Sequence, residues 1–465
     1  MARLTVAEFA KVVQGQVWGK QTEQRITSIV TDSRNVREGS LFIAIRGENF
    51  DGHLFMKQAL EAGAAAVLSE EAPTDPEWSV IQVEQCIEAM AELGRFCLKQ
   101  NPVKVVAITG SVGKTSCKEL VASVLSEKYH VLKTEGNLNT ETGLPITLYN
   151  LEQEHQVVVL EMGMQGLGEI AHLTKIAPPD YAAVTNILGV HLERLGSLQA
   201  IAQAKAEIFL GMKLQGLAFF REDEPWKDYL IQQIQGPYYT YGFSLEGDFY
   251  ASDLVSKGLE GSEFILNGPN QIRMSAKIPL PGKHMVENAC LAAAIGHFLG
   301  LNAEEIVTGL TKTQPMKQRS SLLRLSGDRV VINDCYNSSP TSLRASLEVV
   351  NDLREDRFTM AVLADMKELG VTEVEEHQLV GSLLAKSQYQ ALITKGHLST
   401  ELGNVFCQSS EKAVVYWHCE TNKEIADHLF EILPEHSILL IKGSRSMALD
   451  DLAGRLLQHW EDKHE

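Results

Sequence analysis

The sequence predicts an α/β protein of three domains: a small N-terminal α/β domain, a central parallel-sheet domain built on a phosphate-binding loop, and a C-terminal Rossmann-like α/β domain. Three observations predict it. A chain of 465 residues is too long for one ordinary core, and length alone suggests about three domains. Short β-branched apolar runs alternate with segments of helical period, the pattern of helices packed on parallel sheets. Two polar segments ending in proline, Lys99-Gln100-Asn101-Pro102 and Lys312-Thr313-Gln314-Pro315, divide the chain into 1–98, 99–313 and 314–465.

The first segment opens with a short helix, continues through Ile26 to Ile45, and carries a helix-like stretch from Met56 to Ala62 before a strand from Ala64 to Leu68. In the second, Pro102 precedes the strand Val103 to Ile108, whose continuous apolar character marks a strand covered on both faces. Leu120, Val121, Val124 and Leu125 then recur at helical spacing, and buried strands follow at Val157 to Leu160 and Tyr181 to Thr185. From 236 to 280, alternating stretches rich in Tyr, Phe and Gly, including Tyr238 to Phe243 and Ile272 to Ile278, read as a β-rich insertion. Helices from His284 to Leu299 and from Ala303 to Thr311 close this domain. The third segment places strands at Val330 to Asn333, Thr359 to Leu363, Ala391 to Thr394 and Ile438 to Lys442, with a helix from Thr341 to Leu353.

The chemistry starts at Thr109-Gly110-Ser111-Val112-Gly113-Lys114-Thr115-Ser116, a glycine-rich turn between a strand end and a helix start. Free N–H groups and the helix dipole both favour an anion there. Lys114 adds a mobile positive charge for the β and γ phosphates, and the Thr115 hydroxyl can ligate their magnesium. The loop departs from the common G-x-x-x-x-G-K-S/T spacing, because Ile108 stands at the first glycine position and Gly110 supplies the extra glycine.

Composition narrows the partners. A hydrophobic share of 44% without an uninterrupted apolar run of about eighteen residues describes a globular chain with no spanning helix. The start lacks a secretory apolar region, so a cytoplasmic protein is expected. Seven cysteines without a C-x-x-C pair suggest reduced core thiols, not a disulfide framework or zinc site. A net charge of -18 with no long basic block argues against nucleic acid, and nothing suggests stable membrane association.

Other polar residues follow buried strands, where α/β sheets present ligands. Glu161 follows Val157 to Leu160 and is a natural second magnesium ligand. Asn186 and His191 follow the next strand; a loop histidine is as readily a surface or capping group. Lys205, within Ala202 to Phe209, is by default a solvated helix lysine.

Together these motifs resemble the Mur ligase family, ATP-dependent enzymes that join an amino acid or dipeptide to a UDP-sugar peptide, and the likeness covers almost the whole chain. Thr109 to Ser116 is similar to the family's T-G-x-x-G-K-T-S loop, which accounts for the compressed spacing. The resemblance implies that Glu161 and His191 hold magnesium, that two ions are used, and that Lys205 is carbamylated to become an anionic metal ligand. Asn137-Leu138-Asn139-Thr140 with Gly143-Leu144-Pro145, Asp334 to Ser342, Leu363 to Gly370 with His377, and Lys442 to Met447 look like the branch that adds D-alanyl-D-alanine to a UDP-MurNAc-tripeptide. Thr31-Asp32-Ser33-Arg34 and Gly47 to His53 resemble a UDP-sugar-binding domain.

What the resemblance implies for individual residues is specific. Gly110 to Ser116, with Asn288, Arg319 and Asp334, would contact ATP. Ser33, Arg34, Asn137, Asn139, Tyr336, Asn337, Ser444 and Arg445 would contact the substrates, and Lys114, His191 and Lys205 would be catalytic. Three departures stand out: Met285 replaces a frequent asparagine in Gly282 to Asn288, Ala364 replaces a usual glycine, and Arg221 to Glu224 replaces a stretch with asparagine. A monomer is expected, and the implied reaction passes through an acyl phosphate. A tripeptide-forming relative, a folylpolyglutamate synthase and a nucleotide-hydrolysing switch are the alternatives, and the third peptide residue, diaminopimelate or lysine, stays open.

Overall fold

The computed structural model describes residues 3–47, 50–190, 192–315 and 318–461. Among them, strands collect into three sheets. The first contains β1 (Gln16–Trp18), β2 (Ser28–Val30), β3 (Ser40–Ile43), β4 (Ala66–Ser69) and β5 (Val80–Gln82), in the order β1-β5-β4-β3-β2. All neighbours are parallel except β1 with β5. The opening helix Val6–Val12 is fixed by a capping box, in which Thr5 and Glu8 each use a side chain to satisfy the other's backbone N–H.

Half of the segment expected as the first linker is helical. Helix Cys86–Gln100 continues through Lys99 and Gln100, because its buried stripe of Cys86, Met90, Leu93 and Cys97 holds it to the core over its full length. Asn101 ends it, its side-chain Nδ2 donating to Cys97 O at 3.1 Å, and Pro102 prevents continuation. One hydrophobic core extends from Leu4 to Leu230 and so joins the first sheet's helices to one face of the second sheet. Within it the Tyr149 hydroxyl donates to Ile26 O at 2.9 Å, and the Arg3 guanidinium lies 5.2 Å from the Tyr149 ring.

The second sheet has nine strands: β6 (Lys104–Thr109), β7 (Val131–Lys133), β8 (Val157–Glu161), β9 (Tyr181–Val184), β10 (Leu217–Arg221), β11 (Tyr238–Gly242), β12 (Phe249–Ser256), β13 (Ser262–Gly268) and β14 (Ile272–Ile278). Their order is β14-β13-β12-β11-β10-β9-β6-β8-β7. The expected β-rich insertion is therefore no separate unit. β11 and β12 extend the parallel sheet, and β13 and β14 add an antiparallel edge. Their alternating pattern arises because Phe264, Leu266, Ala276 and Ile278 face the core with helix Lys283–Phe298, while intervening residues face outward.

The third sheet runs β15-β16-β20-β17-β18-β19, from β15 (Ser321–Leu325), β16 (Arg329–Asp334), β17 (Phe358–Ala364), β18 (Ala391–Lys395), β19 (Val415–Cys419) and β20 (Ser437–Lys442). Only β15 is antiparallel to its neighbour. The molecule is thus three α/β domains, the central one carrying the phosphate loop and the last Rossmann-like. Six cysteines are buried as thiols, but Cys407 is exposed, on the outer face of helix His397–Ser409, so the expectation of seven core thiols fails there. No described helix is long and apolar enough to cross a membrane.

Candidate active site

The phosphate loop lies at a topological switch point, because β6 sits between β8 and β9 while its helix Lys114–Leu125 follows directly. The segment after β9 braces it. Asn186 accepts from Val112 N–H through Oδ1 at 2.9 Å and returns Nδ2 to Val112 O at 3.0 Å, while Thr185 Oγ1 also donates to Val112 O at 2.7 Å. Ser111 N–H donates to Asn186 O, and its hydroxyl donates to Leu188 O at 2.9 Å. Ser111 and Val112 thus shape the loop with groups that would otherwise be open to a phosphate. The first intrahelical bond joins Cys117 N–H to Gly113 O at 2.9 Å, which leaves the N–H groups of Lys114, Thr115 and Ser116 facing the anion position.

Gly110 is required sterically. Its φ is +154°, and a Cβ would stand 1.9 Å from Thr185 Oγ1. Gly113, at φ +82°, turns the chain into the helix and lies beneath Asn288. Lys114 Nζ folds back onto the carbonyls of Gly110 and Ser111, at 2.8 and 3.3 Å.

The loop opens onto a cavity of about 1090 Å³ between the central and C-terminal domains. On the central side, Asn137, Asn139, Glu161 and Asn288 line it; from across, Arg319, Asp334, Tyr336, Asn337, Ser444 and Arg445 do. One end reaches Glu88 of helix Cys86–Gln100 and His172.

Glu161 is 3% exposed; its Oε1 accepts from Asn139 Nδ2 at 2.8 Å, and its Oε2 is buried with no partner among the described residues. An unpartnered carboxylate oxygen beside a phosphate loop fits a divalent cation. Among the described residues no three His, Cys, Asp or Glu side chains gather around one point. One carboxylate and one hydroxyl suit magnesium, which completes its shell with phosphate and water oxygens. Asn139 acts here by orienting Glu161. Thr115 Oγ1 accepts from Arg319 Nη2 at 3.1 Å.

Lys205 is 2% exposed within helix Leu198–Leu210, contrary to the solvated default. Burial first, and the nearby Lys114 charge second, hold its pKa well below the ordinary lysine value. Lys114 is itself lowered by desolvation and by Arg319, against the opposing pull of Glu161. The sequence pattern Ala202-Gln203-Ala204-Lys205-Ala206 carries the signal in its small apolar neighbours, which let the helix pack closely.

From the C-terminal domain, Asp334 accepts from Ser320 N–H at 3.0 Å, from Ser346 Oγ at 2.8 Å and from Lys442 Nζ. Lys442 is 2% exposed and also donates to Asn337 O at 3.1 Å. This buried pair escaped the sequence reading, although a lysine ending the apolar run Ile438 to Ile441 must find a partner. The Arg319 guanidinium stacks 3.9 Å from the Tyr336 ring, and Arg445 lies 5.4 Å from the same ring. Ser444 Oγ accepts from Lys367 N–H at 3.0 Å. His377 is fully buried and structural: Nε2 accepts from Met366 N–H, and Nδ1 meets Glu373 O.

Ser33 and Arg34 do not line this cavity, and Arg34 is held by a two-pronged pair with Asp32. That pair lowers Asp32 to a pKa of about 2. His191 lies outside the described residues, as do Glu48 and Asn49.

Comparison with known proteins agrees along the whole chain. A family model described as "Mur ligase family, catalytic domain" matches residues 25–103, the "Mur ligase middle domain" matches 108–296, and "Mur ligase, glutamate ligase domain" matches 318–445. The chain is 35% identical to the UDP-N-acetylmuramoyl-tripeptide--D-alanyl-D-alanine ligase of Bacillus subtilis, covering 98% of this chain and 99% of the relative. Among solved structures, MurF from Acinetobacter baumannii superposes with a TM-score of 0.87 at 30% identity, over 98% of this chain and 99% of that one. MurF from Thermotoga maritima in complex with ADP gives 0.80 at 26% identity, over 94% and 99%.

Proposed function

The chain belongs to the Mur ligase family, enzymes of ATP-dependent amide ligation in peptidoglycan-precursor synthesis, and we propose that it joins D-alanyl-D-alanine to UDP-N-acetylmuramoyl-tripeptide. The observation that carries this reading is the cavity itself: the phosphate loop faces Asp334 to Ser342 and Lys442 to Met447 across it, the segments whose likeness is to the dipeptide-adding branch. The relatives named for that reaction support it.

Forming an amide from a carboxylate in water is uphill, so the carboxylate is first activated. The terminal carboxylate of the tripeptide attacks the γ-phosphorus of ATP, giving an acyl phosphate and ADP. The dipeptide's amine then attacks the acyl carbon, and the tetrahedral intermediate expels phosphate. For the first step Lys114 leaves the Gly110 and Ser111 carbonyls for the phosphates, joined by the N–H groups of Lys114 to Ser116. Asn288, Arg319 and Asp334 hold the nucleotide. Asn137, Tyr336, Asn337, Ser444 and Arg445 border the path of the incoming dipeptide and acyl group, and residues 1–98, through Ser33 and Arg34, hold the UDP-sugar.

Thr115 and Glu161, and at a second position His191 and Lys205, would hold magnesium, which would neutralise the phosphate charge. Lys205 enters that set as a carbamate. Its neutral amine attacks carbon dioxide, a C–N bond forms, a proton departs, and an anionic oxygen donor results. Burial beside Lys114 supports the neutral amine this needs. Closure of the C-terminal domain excludes water from the acyl phosphate, and the protein acts as a monomer.

Phosphate release tests the reading. UDP-MurNAc-tripeptide, in its lysine and diaminopimelate forms, should release phosphate only when D-alanyl-D-alanine is added. Release driven instead by folate with glutamate, or by a single amino acid acceptor, overturns it.

A further inference from the structure

Helix Lys114–Leu125 carries a second lysine that no step above uses. Lys118 stands one turn beyond Lys114, is 1% exposed, and ranks among the largest fully buried side chains. A buried ammonium is retained only where acceptors surround it. Lys118 has two: Thr134 O at 2.5 Å and Glu119 Oε1 at 3.0 Å. Glu119 in turn takes Lys133 Nζ at 2.5 Å, so the pair's charge is met on its outer side.

Thr134 follows β7 directly and is fully buried. Its N–H donates to Val159 O at 3.0 Å, its carbonyl receives Lys118, and its hydroxyl accepts the backbone N–H of Glu161 at 3.0 Å. The hydrogen bonds therefore form a continuous path. It leads from the helix that carries Thr115, through Lys118 and Thr134, to the backbone of Glu161, a residue that lines the cavity and whose Oε2 is buried without a partner among the described residues.

We infer that Lys118 and Thr134 are positioning residues for the magnesium site, fixing the separation between the Thr115 hydroxyl and the Glu161 carboxylate. The inference rests on the reading of Glu161 and Thr115 as magnesium ligands. Asn139 sets the carboxylate's rotation from one side, while the Lys118–Thr134 link sets the height of its backbone along β8. Outer partners of metal ligands act in this way, by confining the ligand to the geometry the ion requires.

The test uses full-length protein and a fluorescent ribose-modified ATP, with binding measured in excess EDTA and across a magnesium chloride titration. Thr134→Val keeps the side-chain shape and removes the hydroxyl; Lys118→Met keeps the length and removes the ammonium. Each should raise the magnesium concentration for half-maximal tightening by ~10- to 100-fold while leaving affinity in EDTA unchanged. Thr134→Ser should restore the parent magnesium dependence. Glu161→Gln is the control for the ligand assignment itself. If Glu161→Gln shifts the magnesium dependence and folded Thr134→Val does not, the inference is wrong. Equal losses with and without magnesium in Thr134→Val also overturn it, since they mark general damage to the loop. If Glu161→Gln has no effect, the ligand assignment fails first.

Discussion

Arg319 and Thr115 meet across two domains, Nη2 donating to Oγ1 at 3.1 Å. The guanidinium belongs to the segment entering the third sheet, and the hydroxyl to the first turn of the phosphate-loop helix. A fixed positive charge therefore stands at the hydroxyl proposed above for magnesium, and it is steadied there by the Tyr336 ring. We propose that bound nucleotide draws this guanidinium onto a phosphate oxygen, which would tie nucleotide binding to the position of the C-terminal domain. Arg319→Ala is expected to lower kcat by ~10²- to 10³-fold, the loss typical of one transition-state donor. Arg319→Lys should recover little, because the planar fork is lost. Steady-state phosphate release checks both.

Lys114→Ala should abolish ligation. The ammonium already sits over the loop carbonyls and has a short path to the phosphates. Near-parental turnover in this variant would remove the loop from the chemistry.

Lys205→Ala should lose most activity, with partial return on adding formate or acetate, small carboxylates that can stand where the carbamate oxygen would. Activity against carboxylate concentration is the measurement. An undiminished variant would exclude a metal role for this lysine.

Gly110→Ala should fail in nucleotide binding before it fails in folding. The added methyl meets Thr185 Oγ1, the atom that braces Val112 O. A strained backbone residue of this kind costs about 1–3 kcal/mol. Calorimetric titration with ADP and a thermal melt separate the two effects.

His436 gives a pH dependence away from the site. Its ring nitrogens each lie 2.7 Å from a carboxylate oxygen, Nδ1 from Asp328 and Nε2 from Asp356. Asp356 first and Asp328 second raise its pKa above the ordinary 6.5, against desolvation and the Arg357 charge. The protonated ring is the bound form, so its contribution is complete below 6.5 and is lost as pH rises through the raised folded value. The denaturation midpoint of the C-terminal domain should fall across that window at low salt, less so at high salt, and not at all in His436→Gln.

The strand–loop–helix at 104–125 was legible because a buried parallel strand, a glycine turn and a helical stripe are all local patterns. Strands β15 and β19 were not, since both lie at sheet edges and bury few residues. The placement of β11 to β14 in the central sheet depends on which strands pair, and alternation within a strand says nothing of its neighbour. At the site, Glu161 could be read from its position after an apolar run. Its brace by Asn139, the Asp334–Lys442 pair and the burial of Lys118 join residues 16 to 108 positions apart, so no spacing rule exposes them.

The core that unites Leu4 with Leu230 bears on how the chain can be divided. Buried residues of the first two shared cores end at Leu310, and those of the C-terminal cores begin at Leu325. A polypeptide nicked after Gln314 should give two fragments that each fold alone, whereas a nick after Asn101 cuts helix Cys86–Gln100 from the central-domain residues whose core it shares. Co-expressed halves split at 314 should complement in trans, their reunion driven by the nucleotide bound between them.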